Sequence, residues 1–178
     1  MRKLKNSEMA RLSGEAYKQA TKNDVVLVLD NIRSSNNIGS FFRTADALLV
    51  QSIYLCGYTA TPPSKDIHKT ALGAEDVVDW AYFENAKEAV MHLSEKGYSV
   101  YAVEQVENSI FLHQFHPASD AKIALVFGNE VSGVQQEVIN CCHGAIEIPQ
   151  FGTKHSFNVS VSAGIVIWDV VSKMKLLM

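Results

Sequence analysis

Three features of this 178-residue chain predict an α/β domain with a mainly parallel sheet flanked by helices. Val25-Val26-Leu27-Val28-Leu29 is an unbroken Val-rich run, the pattern of a strand buried on both faces of such a sheet. Comparable apolar runs recur down the chain with helical spacing between them. Polar, Gly-bearing loops follow several of these runs, and open α/β sheets bind ligands beyond the carboxyl ends of their strands.

The elements follow in order. Residues 1–22 carry six Lys/Arg against two acids and predict a short basic extension of one or two amphipathic helices, with Asn6 and Ser13 as N-caps. Two readings of it stay open: packing on the core through Met9, Leu12 and Tyr17, or contact with nucleic acid. The remainder, 23–178, reads as one domain, since 47% hydrophobic and 20% charged residues suffice for a single well-formed core. After the strand at 25–29 comes a helix at about 38–49. Strands are expected at Ile53 to Cys56, Tyr98 to Val103, Lys122 to Phe127 and Ala145 to Ile148, with a less regular one near Val77 to Trp80. A helix over 84–96 buries Ala86, Ala89, Val90 and Leu93 and stops at Gly97. The last helix, 158–174, is apolar on nearly every side, so something must cover it.

Composition excludes several classes. A net charge of -3 argues against holding nucleic acid by overall electrostatics, so any RNA contact must be local. No apolar run nears the roughly eighteen residues of a membrane span, and the start, Met1-Arg2-Lys3-Leu4-Lys5, leads into a polar stretch instead of a signal core. A cytoplasmic protein without membrane contact is expected. Cys56, Cys141 and Cys142 fit neither a disulfide framework nor a zinc site, and His113, His116 and His143 have no metal-ligand spacing, so no metal is expected.

Three loops carry the chemistry. The first runs from Asp30 to Gly39 and leads into Ser40-Phe41-Phe42-Arg43-Thr44-Ala45. A helix beginning near Asn37 puts that amide at its start, and Arg43 nearly two turns on; both can point toward a shared rim, Asn37 capping and Arg43 clamping a phosphate. A surface ion pair with Asp46 is the bland alternative for Arg43. The second loop, Gly128-Asn129-Glu130-Val131-Ser132-Gly133, has glycines that let backbone approach a ligand. Val134-Gln135 stands where a phosphate loop needs Lys-Ser/Thr, and no Gly-x-Gly-x-x-Gly follows any strand; ATP and ordinary dinucleotide sites are excluded. Glu130 can orient a cation, guanidinium or hydroxyl, or merely favour a helix starting near Ser132. The third loop, residues 149–157, passes Ser156 and Asn158 into the last helix and holds more polar groups than capping needs. Lys65, His68 and Lys69, on a further loop ending near Ala74, can touch phosphate or simply be solvated.

In this order and spacing, the three loops resemble the TrmH/SpoU family of RNA ribose 2′-O-methyltransferases, of the SPOUT superfamily, over roughly residues 25 to 172. The family's Asn placed six residues before Arg-Thr-Ala is matched by Asn37 and Arg43-Thr44-Ala45. Its Phe-Gly-x-Glu-x-x-Gly is matched by Phe127 to Gly133, and its Ile-Pro, Gly, Ser-Leu-Asn-Val-Ser run by Ile148-Pro149, Gly152 and Ser156 to Ser160. Phe157 replaces the usual Leu, and Gln150 stands where Met is common.

The resemblance implies a deep C-terminal trefoil knot whose loops hold S-adenosyl-L-methionine, here through Val103, Gly128, Ile148, Ser156 and Phe157. It implies methyl transfer to a ribose 2′-hydroxyl of tRNA or rRNA, and a homodimer with active sites near its interface that covers the last helix. Asn37, Arg43, Glu130, Ser156 and Asn158 are the implied catalytic set, with Asn37 and Glu130 orienting Arg43. Arg43 is either a general base or a clamp for phosphate and developing oxyanion; a guanidinium that stays protonated suits the second. A base-methylating knotted enzyme and an inert RNA-binding scaffold are the alternatives. tRNA is favoured slightly over rRNA, since recognition would use the core dimer and the short basic N-terminus.

Overall fold

A computed structural model describes residues 1–175; the last three positions of the expected 23–178 domain lie outside the described residues. Seven parallel strands form one sheet in the order β3-β2-β1-β6-β4-β7-β5, with β1 Asn23–Asp30, β2 Val50–Cys56, β3 Trp80–Phe83, β4 Ser99–Val103, β5 Ile110–Phe111, β6 Ile123–Phe127 and β7 Gly144–Glu147. The helices are α1 Gly14–Gln19, α2 Ser35–Ala47, α3 Lys65–Ala71, α4 Ala86–Glu95, α5 Gln136–Ile139 and α6 Val159–Lys175. Strand β6 lies between β1 and β4 at the centre, and its five residues, Ile-Ala-Leu-Val-Phe, are all buried. This accounts for its unbroken apolar run, since both faces meet other elements.

Each face of the sheet has its own core. On one, Leu27, Leu29, Leu125 and Phe127 meet Phe41 and Phe42 of α2 and Val166, Ile167 and Val170 of α6. Phe41 and Phe127 pack edge to face with centroids 5.1 Å apart. On the other, Val26, Val28, Ala124 and Val126 meet Ala89, Val90 and Leu93 of α4. Helix α4 ends as its sequence predicts, with Lys96 as C-cap and Gly97 in the left-handed region at φ 82°.

Several expectations shift. Val77 and Val78 follow a 3₁₀ turn over Ala74–Asp76, and the expected strand there begins only at Trp80. The stretch read as a loop at 66–74 contains α3, capped by Ser64, whose Oγ accepts from Ile67 N. In the N-terminal extension Ser13 caps α1, its Oγ accepting from Ala16 N. Tyr17 is buried there, but Met9 and Leu12, which precede α1, are exposed. Asn6 begins a 3₁₀ turn instead of capping an α-helix.

After β7, near the sheet edge, the chain crosses back through residues 148–158 and enters α6, which packs on α2. Lys173 Nζ donates to Leu112 O at 2.7 Å, tying the far end of α6 to the segment between β4 and β6. Helix α6 is not covered all round: Val161, Ile165 and Trp168 form an exposed stripe at helical spacing. Among the described residues no helix is long and apolar enough to cross a membrane.

Candidate functional site

A cavity of about 560 Å³ opens beyond the carboxyl ends of β4, β6 and β7, between the loops 128–135 and 148–158. Val103, Gly128, Ile148, Ser156 and Phe157 all line it, as do Glu130 and Asn158. The parallel sheet explains the convergence: strand ends on one edge deliver their loops to one side.

Loop 128–135 is folded tightly on itself. Asn129 and Gly133 exchange backbone hydrogen bonds of 3.1 and 2.9 Å, and Asn129 Oδ1 accepts from Val131 N and Ser132 N. A Cβ on Gly128 would stand 2.1 Å from Gly133 C and Val134 N. Gly133 has φ +67°, and a Cβ there would meet Glu104 Oε2 at 2.2 Å. Both glycines are therefore demanded by the loop's own packing before any ligand arrives. No helix starts near Ser132; α5 begins at Gln136, after Gln135 N has donated to Asp30 Oδ2 at 3.1 Å.

Glu130 leaves this loop and reaches the entrance of α2. Its carboxylate accepts from Arg33 N (3.0 Å), Ser34 N (3.1 Å) and Asn37 Nδ2 (2.9 Å). Partial burial alone would raise its pKa, but the Arg33 N–H and the Asn37 amide outweigh it and hold the carboxyl below its ordinary value. The same carboxylate sits favourably at a helix N-terminus. Asn37 is not the cap of α2: Ser34 is, with its Oγ accepting from Asn37 N at 3.3 Å. The Asn37 side chain is thereby left for the rim, where its Oδ1 accepts from Asn158 Nδ2 at 3.2 Å.

Asn158 divides its amide between two tasks. Its Oδ1 caps α6, accepting from Ser160 N (3.0 Å), Ser160 Oγ (2.7 Å) and Val161 N (3.4 Å), while its Nδ2 joins Asn37. A chain Glu130–Asn37–Asn158 thus connects the three loops that the sequence singles out.

Arg43 stands apart. It lines a second cavity, about 530 Å³, with Ser40, Thr44, Lys69, Thr70 and Trp168, between α2, α3 and α6. Six residues along an α-helix set two side chains about 120° apart around its axis, and here Asn37 joins the rim of the first cavity while Arg43 lines the second. The expected orienting of Arg43 by Asn37 and Glu130 is not seen; those two bind each other. The ion pair with Asp46 is not seen either: among the described residues Arg43 has no hydrogen bond or salt bridge, and it is exposed. Lys69 pairs with Asp66 at 2.7 Å, and His68 Nδ1 lies 2.6 Å from Glu75 Oε1. No group of three or more His, Cys, Asp or Glu side chains among the described residues could hold a metal ion.

Several supporting groups escaped the sequence reading. Asp30, buried at the end of β1, accepts from Asn31 Nδ2 as well as Gln135 N; burial pushes its carboxyl above the ordinary value against both donors. Asn129 donates to Asn31 O (2.8 Å) and Tyr58 OH (2.5 Å). Glu104 lines the cavity and accepts from Val134 N at 3.0 Å. Only the position of each at or just after a strand's carboxyl end could have marked it.

The residues fit S-adenosylmethionine. Val103, Phe127, Ile146, Ile148 and Phe157 offer apolar walls to an adenine, the volume lies in the range of small-molecule sites, and the Glu147 carboxylate suits a ligand bearing a sulfonium.

The model of the SpoU rRNA methylase family matches residues 24–168. The chain is 32% identical over 143 residues to a 23S rRNA (guanosine-2′-O-)-methyltransferase of Neisseria meningitidis, covering 80% of this chain and 56% of that protein. It is 30% identical over 147 residues to a tRNA (guanosine(18)-2′-O)-methyltransferase of Thermus thermophilus, covering 82% and 73%. The chain therefore spans little more than half the length of the Neisseria relative. Among solved structures, the TrmH/SpoU tRNA modifying enzyme of A. aeolicus has a TM-score of 0.79 at 22% identity, covering 90% of this chain and 80% of that one. An AdoMet-bound rRNA methyltransferase from Sinorhizobium meliloti has a TM-score of 0.78 at 23% identity, covering 91% and 60%. At these identities the two share the fold.

Proposed function

The chain belongs to the SpoU rRNA methylase family, and from that premise we propose that it is an S-adenosylmethionine-dependent RNA methyltransferase acting on a ribose 2′-hydroxyl. The observation that carries this reading is the cavity at the strand ends, lined by Val103, Gly128, Ile148, Ser156 and Phe157 and closed at its rim by the Glu130–Asn37–Asn158 hydrogen bonds. Its relatives named above supply the reaction class.

The cofactor, when bound, supplies the methyl group as a sulfonium substituent. The residues around it serve mainly to position. Phe157 and Ile148 cover an apolar moiety, and Ser156, exposed at the cavity wall, offers a hydroxyl to ligand or RNA. Glu130 fixes the β1–α2 loop and Asn37, so its part in the reaction is to hold the rim in place and not to meet the substrate. Arg43 clamps the RNA phosphate beside the target ribose and stabilises the developing oxyanion. A guanidinium stays charged in proteins, and the hydroxyls of Ser40, Thr44 and Thr70 with the Lys69 ammonium make that cavity suitable for an anion.

The protein works as a homodimer whose interface covers Val161, Ile165 and Trp168; Arg43, in the cavity beside Trp168, then lies at that interface. We place the C-terminal segment in a trefoil knot, a reading supported by the return of the chain from β7 to pack α6 on α2 and against Leu112. Residues 1–22, with six Lys/Arg, form part of the RNA surface. tRNA is favoured slightly over rRNA, with the core dimer and the short basic stretch 1–22 as the recognition surface. Three free cysteines suit a reducing cytoplasm. Mapping ribose methylation across total RNA from cells with and without the gene tests this reading. One 2′-O-methyl site disappears with the gene; an unchanged map contradicts it.

A further inference from the structure

We infer that Glu104 and Gln105, the two residues that leave β4, are positioning residues, each of which holds one of the two loops that form the cofactor cavity. The inference rests on the assignment of that cavity to S-adenosylmethionine. Glu104 is itself anchored, its N–H donating to Ile146 O of β7 at 3.1 Å. Both carboxylate oxygens are in use: Oε2 accepts from Val134 N at 3.0 Å and Oε1 from Gln105 N at 2.9 Å. The first bond holds loop 128–135 where it turns toward α5.

Gly133 shows how closely that loop is drawn in. A Cβ there would lie 2.2 Å from Glu104 Oε2, and its backbone is left-handed at φ +67°. The carboxylate thus occupies the space a side chain would take. Gln105 works in the other direction, Nε2 donating to His155 O at 3.2 Å, next to Ser156 and Phe157. Residues 148–158 contain no helix or strand, so their conformation must be set by bonds such as this one or be ordered when the ligand binds.

That distinction defines the expected signature. Without the clamps, the ordering cost moves from folding to binding, so affinity falls while the bound complex still reacts. Glu104→Ala raises the Kd for S-adenosylmethionine ~10-fold by calorimetry, and the KM with it, with kcat at saturation within about twofold. Glu104→Gln recovers part of the affinity, since its amide oxygen accepts one N–H but its NH₂ opposes the other. Gln105→Ala gives a smaller rise, roughly threefold, as its bond is exposed.

S-adenosylhomocysteine weakens in parallel, because the clamp acts on loop geometry and not on the sulfonium charge. An unchanged Kd in Glu104→Ala overturns the clamp. So does a fall in kcat, cofactor affinity and melting temperature together that Glu104→Gln does not recover, which is the pattern of general destabilisation. Wild-type protein that binds no S-adenosylmethionine overturns the cofactor reading itself, and the clamp falls with it.

Discussion

Two positions on helix α2 face different chemistry. At its start, Asn37 is bound on both sides of its amide, to Glu130 and to Asn158, and the rim it belongs to is complete within the chain. Six residues on, Arg43 faces a cavity between α2, α3 and α6 with no partner among the described residues. The satisfied residue ties loops together; the unsatisfied one presents an unpaired charge to its cavity. One short stretch of sequence therefore contributes to the surroundings of two cavities, and losing either residue should leave a different deficit.

The largest contrast comes from Arg43→Ala. Removing the guanidinium that lines that cavity lowers methyl transfer by about 10³-fold, the scale of losing a charged transition-state contact, while cofactor Kd by calorimetry is unchanged. In Arg43→Lys the loss persists at every pH if Arg43 is a clamp; a lysine-like basic limb with high activity would assign it to proton abstraction.

Next in size, Ile165→Asp places a charge in the exposed stripe with Val161 and Trp168. Sedimentation then shifts from dimer to monomer, transfer falls with it, and cofactor binding survives. A monomeric wild type would break the comparison, since Arg43 would have no second subunit to serve.

At the other position, Glu130→Ala strands the N–H groups of Arg33 and Ser34 and frees Asn37. Because these bonds lie at an exposed rim, the cost is about 1 kcal/mol, read as a lower melting temperature, and both cofactor binding and transfer weaken together.

The smallest effect is on pH. Glu130 has a depressed pKa in the fold, so its stabilisation is complete above the ordinary carboxylate value and is lost as pH falls through the lowered one. Buried Asp30 has the opposite sign: its raised pKa penalises the ionised fold, and the penalty is relieved as pH falls below that value. The difference in melting temperature between wild type and Glu130→Gln should shrink in acid. A difference that is constant across that range would mean that the carboxylate's charge contributes nothing.

Much of this contrast was visible in the sequence, for a physical reason. Periodicity marks strands such as Ile123–Phe127 because both faces are buried, and a parallel sheet sends their loops to one edge; hence Gly128, Glu130, Ile148 and Asn158 could be grouped before any coordinates. Helix phase was equally available, since six residues set Asn37 and Arg43 about 120° apart wherever the helix starts; what the sequence did not show is that Ser34 caps α2 and leaves the Asn37 amide for the rim. Glu104 carried no signal, since a lone Glu after a strand is ordinary; its role appears only when Val134 N lies 3.0 Å away. Helix α3 and the short β5 have too few residues for period to speak.

The most direct test incubates the purified protein with methyl-labelled S-adenosylmethionine and RNA extracted from cells lacking the gene, followed by complete alkaline hydrolysis. A 2′-O-methyl group removes the hydroxyl that attacks the adjoining phosphate, so the label should appear in an alkali-resistant dinucleotide. Label recovered in single nucleotides would place the methyl group on a base, and no incorporation at all would contradict the assignment of the cavity.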